Sequence, residues 1–359
     1  MKIKVAFIIL GLDFSGAERV LIEYLKGNDF IHPSFYFIYN RACIDKFKKE
    51  FPQFFCKCLD VKYSKNLLRY FPSVAATSVA KTLKYEMKSN IFDVIYANNT
   101  LEFGLLSKLF DLTSVPIVGH IHDMRNSFGT YPKIRLVDYA IKKAAAVVTV
   151  SKACANSWKN KNIKIVYNGI SRFVENNHLN RSPLTLGFVG ILCKRKGFDL
   201  FAKLIKIKKS LSFKIAYNEI KRECYGDLKS IENEPNVEIF YDLNRDEMNA
   251  FYDSIDVLIV PSRFDPLPTV VLEAASRKKL IIASKTDGIL EMVKNESLLF
   301  EKNDLDDLIK KIDNVVNADD EERKNILDNL FQYVKDNFSQ EKKRKTVNLI
   351  LDDVVRKSR

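Results

Sequence analysis

The sequence predicts an α/β protein made of two doubly wound parallel-sheet domains in tandem. Three observations lead there. The chain has 359 residues, and domains usually hold about 150–200, so two are expected. Short β-branched and aromatic runs alternate with longer amphipathic stretches along its whole length, the order of a βαβ protein. Those runs are apolar without strict alternation, as suits strands covered on both faces.

In the first half the strand candidates are KVAFIIL (4–10), SFYFIYN (34–40), FDVIYAN (92–98), PIVGHI (116–121), AVVTV (146–150) and KIVYN (164–168). Helical patterns fill 16–27, 65–88, 101–110 and 133–145. LTLGFVG (184–190), FKIAYN (213–218), VEIFYD (237–242), DVLIVP (256–261) and LIIAS (280–284) repeat the plan. The polar stretch SRFVENNHLNRSP (171–183) reads as a linker. The expected domains are 1–175 and 176–340. A terminal helix, 341–359, with an apolar stripe of Val347, Leu349, Ile350, Leu351, Val354 and Val355, is expected to pack back on the first domain. Open sheets of this kind bind ligands at the carboxyl ends of their strands. Two of them face to face would make a cleft between domains.

Composition narrows the function classes. No window reaches the roughly 18 consecutive apolar residues of a membrane span. MKIKVAFIIL has the charged start of a signal peptide, but its apolar run stops at Gly11 and no small-residue cleavage site follows. It reads as a buried first strand. Six cysteines, Cys43, Cys56, Cys58, Cys154, Cys193 and Cys224, fit neither zinc nor redox spacing and suit free thiols in a reducing cytoplasm. The net charge is +13, and residues 1–180 carry nearly all of it, with 26 Lys+Arg against 14 Asp+Glu; the remainder holds 32 against 31. A basic first half suits a polyanionic partner, such as an anionic membrane surface, a phosphorylated substrate or a nucleic acid. No nucleic-acid-binding motif accompanies it.

The stretch RFDPLPTVVLEAA (263–275) holds two acids, Asp265 and Glu273. Pro266 and Pro268 exclude helix interior before Thr269, so Asp265 falls in a loop and Glu273 just inside the helix that follows. The stretch Leu267, Pro268, Thr269 and Val270 opens that helix, and the N–H groups there, which Pro268 lacks, suit a diphosphate. A carboxylate on either side can hold hydroxyls. The pattern fits a ligand with a diol at each end and a diphosphate between, a nucleotide sugar. A dipole-favoured acid and a turn-forming Asp-Pro explain the same residues without a ligand.

DVLIVPSRFDPLPTVVLEAA resembles the E-x7-E signature of retaining glycosyltransferases of family 4, which have the GT-B fold. Asp265 replaces the first Glu; Glu273 is the second. The resemblance extends over nearly the whole chain. GLDFSGAERVLIEYL (11–25) is similar to the family's first-strand loop, with Gly16 at the substrate. PIVGHIHDMR (116–125) resembles the segment that brings a histidine to the site, with His122 the better match and His120 two residues earlier. IVYNGIS (165–171) resembles the end of the first domain, where Asn168 opens toward the cleft. LTLGFVGILCKRKGFDLF (184–201) resembles the start of the nucleotide-binding domain, with Gly190, Arg195 and Lys196. Four further features depart from the pattern: Ile191 stands for an Arg, Lys278 for a Gly and Leu280 for a Pro, and the Pro expected before Glu291 is missing in GILEMV.

The resemblance implies glycosyl transfer with retention, from a nucleoside-diphosphate sugar to a hydroxyl of a saccharide. Lys196 would neutralise the diphosphate, Glu273 hold the ribose, Asp265 the donor sugar, and His122 the sugar or acceptor. No cofactor is expected, and no metal, because no D-x-D pair stands at a strand end. DLDD (304–307) reads as a helix start. The basic segment 62–88 mixes lysines and Arg69 with aromatics, which suits an anionic membrane surface and a lipid-linked acceptor. A cytoplasmic protein at the inner face of the cell membrane is expected. An epimerase of the same fold and a non-catalytic scaffold remain as other readings.

Overall fold

The structure is a computed structural model that describes residues 2–10, 16–38, 41–59, 61, 70–88, 91–127, 131–159, 162–175 and 184–359. It divides into two compact units, Met1–Gly169 with Gln340–Arg359, and Ile170–Ser339. The loop at 11–15, the segment 62–69 and the end of the linker at 176–183 lie outside the described residues.

The first unit runs β1 (Ile3–Ile9), α1 (Gly16–Leu25), β2 (Ile31–Phe37), α2 (Arg41–Glu50), β3 (Phe55–Cys58), α3 (Pro72–Glu86), β4 (Val94–Ala97), α4 (Thr100–Leu105), β5 (Ile117–Ile121), α5 (Tyr131–Lys143), β6 (Ala146–Thr149), α6 (Lys152–Ser157) and β7 (Ile163–Ile165). All strand pairs are parallel, in the order β3-β2-β1-β4-β5-β6-β7. The inner strands β4, β5 and β6 are buried throughout. This is why their sequences run apolar without alternation. Edge strand β3 is partly exposed. The core is aromatic: Phe35 stacks between Phe7 and Phe51, and Phe47 packs against Phe37.

The second unit runs β8 (Thr185–Val189), α7 (Phe198–Ile207), β9 (Ser212–Tyr217), α8 (Tyr225–Lys229), β10 (Val237–Tyr241), α9 (Arg245–Ser254), β11 (Val257–Val260), α10 (Thr269–Ala275), β12 (Leu280–Ser284), α11 (Ile289–Met292), β13 (Leu299–Phe300), α12 (Leu305–Asn317) and α13 (Asp320–Asn337). Its sheet repeats the plan, β10-β9-β8-β11-β12-β13, again all parallel. Helix starts follow the polar residues before them. Asn244 and Glu247 form a capping box on α9, and Asp304 caps α12 by accepting the Asp307 N–H. DLDD is thus a helix start.

The last helix, α14 (Gln340–Ser358), belongs to the first unit. It buries Val347, Ile350, Leu351, Val354 and Val355 in that unit's core. Leu349 does not join them and is 61% exposed. The helical period instead puts Gln340 and Lys343 on the buried face. All six cysteines are free. No helix among the described residues is long and apolar enough to cross a membrane.

Lys278, where the family pattern has glycine, sits at φ 51°. A side chain pays about 1–2 kcal/mol in that left-handed region. Lys278 offsets it by pairing with Asp328 at 2.8 Å and by lying 5.2 Å from the Phe331 ring centroid. Lys278→Ala loses both contacts and keeps the backbone strain. Lys278→Gly loses the contacts but not the conformation, so it should be the more stable of the two variants by about 1 kcal/mol. Urea unfolding midpoints of the two measure this.

Candidate active site

In the second unit the chain leaves β8 through Gly190, at φ 139°, and turns through Lys194–Lys196 to Gly197. Gly197 is at φ 74°, and a Cβ there would stand 1.9 Å from the Pro261 carbonyl oxygen. Only glycine permits that approach. It sets Lys196 against the loop that follows β11. Lys196 Nζ donates to Asp265 Oδ2 at 2.5 Å, and both side chains are largely buried, 19% and 5% exposed. Arg195 is exposed and donates to the Phe264 carbonyl oxygen. The lysine and the first acid of the signature are therefore partners.

The loop holding Asp265 is tied down on two sides. The Arg263 guanidinium grips both Asp199 oxygens, at 2.6 and 2.8 Å. Burial raises the Asp199 carboxyl, but the Arg263 hydrogen bonds and charge more than offset it and leave it below the usual range. The Asp265 N–H donates to Asp287 Oδ2, and its carbonyl oxygen accepts the Gly288 N–H. Beyond the loop, α10 starts at Thr269 with Pro268 before it and no side-chain cap. Leu267 is buried, and Thr269 and Val270 are partly exposed. Glu273, on the same helix, receives the Tyr252 hydroxyl on Oε2 at 2.6 Å. Sequence reasoning missed Tyr252, Asp199, Arg263 and Asp287. Arg263 lies inside the quoted signature, but nothing in the one-dimensional pattern pairs it with Asp199, 64 residues away.

In the first unit, polar groups gather at the carboxyl ends of β1, β4 and β5. Thr100 Oγ1 accepts the N–H groups of both His122 and Asp123. The imidazoles of His120 and His122 lie 4.2 Å apart, because a strand returns every second side chain to one face. Tyr96 Oη meets His120 Nδ1 at 2.9 Å, while Nε2 of both histidines is buried without a protein partner. Burial pushes His122 down to about 3, with the Lys343 charge adding to it, and pushes His120 down as well. Both rings are neutral at physiological pH. Asn168 Oδ1 accepts from Lys343 Nζ at 3.4 Å. Gly16 opens α1, exposed, with nothing within 4 Å of a Cβ added there. Among the described residues no cluster of three or more His, Cys, Asp or Glu could hold a metal.

Glu102, also missed in the sequence, is fully buried, and its Oε1 accepts the Leu10 N–H at 2.7 Å. Burial, then the charge of Glu18, pushes its carboxyl up to about 8. A raised carboxyl contributes stability in full below its ordinary value of 4.5 and loses it as pH rises through about 8. Glu102→Gln should therefore flatten the fall in stability of the wild type across that window. Thermal unfolding of both proteins as a function of pH measures it.

Comparison with known proteins agrees with this architecture. Residues 170–331 match the family Glycosyl transferases group 1, and residues 50–172 match Glycosyltransferase Family 4. An uncharacterized 42.6 kDa protein from the cps region of Klebsiella pneumoniae is 26% identical over 65% of this chain and 67% of its own. An uncharacterized glycosyltransferase of Methanocaldococcus jannaschii is 27% identical over 71% of this chain and 74% of its own. Among solved structures, Anabaena HepE in complex with UDP and glucose superposes with a TM-score of 0.79 at 16% identity, over 98% of this chain and 100% of that one. Sucrose-phosphate synthase from Thermosynechococcus elongatus gives 0.82 at 14%, over 99% and 100%. The two matched domains follow one another without a gap, each on its own parallel sheet, and the chain belongs to the glycosyltransferases of group 1 and family 4, with the GT-B fold.

Proposed function

We propose that the chain is a retaining glycosyltransferase. It moves a sugar from a nucleoside-diphosphate sugar to a hydroxyl of a lipid-linked saccharide, in the synthesis of a cell-surface polysaccharide or lipopolysaccharide. The observation that carries this reading is the buried Lys196–Asp265 pair at the carboxyl ends of β8 and β11, with Glu273 eight residues further on. An arriving diphosphate competes for the Lys196 ammonium, and Asp265, released from it, accepts from the donor sugar hydroxyls. Glu273, oriented by Tyr252, accepts from the ribose. The bond between the anomeric carbon and the diphosphate breaks, and the acceptor oxygen bonds to that carbon on the same face. The acceptor proton passes to the departing phosphate oxygen. Lys196, neighbouring Arg195 and the amides of Thr269 and Val270 meet the growing negative charge without a divalent ion. His122 contacts the sugar or the acceptor in its neutral form.

The relatives support this choice of substrates. Structures of HepE contain UDP and UDP-glucose. A second structural neighbour is a lipopolysaccharide outer core galactosyltransferase. Two sequence relatives come from the cps region of Klebsiella pneumoniae.

The exposed face of α3 favours a lipid-linked acceptor. Tyr70 and Phe71, just before the helix, and Tyr85 near its end are 63%, 60% and 72% exposed. Lys81, Lys84 and Lys88 are exposed on the same stretch. Beside it a recess of about 370 Å³ is lined by Ser73, Ser107, Lys108, Pro132, Arg135 and Tyr139. Aromatic rings at the headgroup level with cations between them match an anionic bilayer surface.

Nucleotide release from UDP-sugars, with lipid-linked saccharide as acceptor, tests the activity. Lys196→Ala should lower turnover about a hundredfold, equivalent to about 3 kcal/mol, and Glu273→Gln should raise KM for the donor. Wild-type kinetics in both variants would remove the assignment. A changed sugar recovered from donor alone would favour the epimerase reading instead. Sedimentation with liposomes tests the membrane face. The wild type should pellet with anionic vesicles and not with neutral ones, and the Phe71→Ser, Lys81→Glu, Lys84→Glu variant should stay in the supernatant.

A further inference from the structure

Lys343 lies on the buried face of α14, 4% exposed, among groups that do not balance it. Its contact is with Asn168 Oδ1, at 3.4 Å, a neutral acceptor at long range. The charged or titratable groups that act on the neighbouring imidazoles are Lys343 from α14 and, on His120, His122 from just after β5. Tyr96 from β4 bonds His120, and the Asn98 backbone bonds His122. None of these is an acid. Burial alone pushes the Lys343 ammonium down to about 7, with no carboxylate to raise it. Gln340, one turn earlier, has both side-chain amide atoms buried without a partner.

The packing that places Lys343 is tight. A Cβ on Gly169 would stand 2.6 Å from the Gln340 Cα. The Asn168–Gly169 pair is thus fitted to the first turn of α14. Of His120, His122, Asn168 and Lys343, only His122 is partly exposed. What the group lacks is specific. Lys343 has donors in excess and needs an acceptor, best an anionic one. His122 Nε2 is buried without a partner and can pair with a hydroxyl, which both donates and accepts.

We propose that His120, His122, Asn168 and Lys343 form a subsite for an acidic saccharide, with Lys343 taking its carboxylate or phosphate and His122 Nε2 a neighbouring hydroxyl. The inference rests on the reading of the chain as a glycosyltransferase and names the acceptor as negatively charged next to its reactive sugar.

Calorimetric titration of the full chain with glucuronate, glucose 6-phosphate and glucose tests it. At least one charged sugar should bind at least about tenfold more tightly than glucose, the scale of one charge-assisted hydrogen bond. Which of the two does so tells carboxylate from phosphate. That preference should fade as pH rises through about 7, where Lys343 loses its proton. It should vanish in Lys343→Met, survive in part in Lys343→Arg, and persist in Lys196→Ala, whose change lies in the second unit. Lys343→Met removes a buried unpaired ammonium, so its Tm should match or exceed the wild type. If that variant does not fold, the pH dependence of the wild type decides. Equal binding of all three sugars, or a preference unchanged by Lys343→Met or by pH, overturns the subsite. Nucleotide release is read separately: wild-type turnover in Lys196→Ala sinks the transferase reading and leaves the anion preference standing.

Discussion

Strand order constrains everything else in this protein. In each sheet the first strand lies between its second and a later one, β2-β1-β4 and β9-β8-β11. Crossovers therefore leave the two central strands toward opposite edges. Loops from both sides converge above their carboxyl ends. Asn98, Thr100 and Glu102 come to that point in one sheet, and Lys196 and Asp265 in the other. The buried apolar strands below supply rigidity, and the loops supply the chemistry.

The two sites solve the burial of polar groups in opposite ways. Around Asp265 the charges are paired: Lys196 with Asp265, and Arg263 with both oxygens of Asp199. Around His122 they are suppressed: Glu102 is driven up, and His120, His122 and Lys343 are driven down, each mainly by burial. A paired site keeps its charge and can exchange partners. A suppressed site gains charge only when a ligand or a proton makes up for the lost water.

Much of this was legible in the sequence, for physical reasons. Strands buried on both faces must be apolar, so β4, β5, β6 and β11 announced themselves. Prolines 266 and 268 fixed where α10 could begin, and alternation along β5 placed His120 beside His122. Partners brought together by the fold were not legible. Tyr252 on Glu273, Arg263 on Asp199 and Lys343 on Asn168 join distant segments, and each looks like an ordinary surface residue in one dimension. Lys343 was hardest to see, since a lysine in a highly charged helix reads as solvated. Leu349 erred in the other direction: its hydrophobicity suggested burial, but its angular position on α14 faces outward.

The course of α14 has a consequence for how the protein comes into being. The helix is synthesised after the whole second unit, yet Val347, Ile350, Leu351, Val354 and Val355 complete the core of the first. While the ribosome is still adding residues 170–339, the earlier sheet waits with its aromatic floor uncovered. The unit made later holds all its own strands and can fold ahead of the one begun first. Nascent chains of this protein therefore carry an exposed apolar surface until α14 emerges, and exposure of that kind favours aggregation.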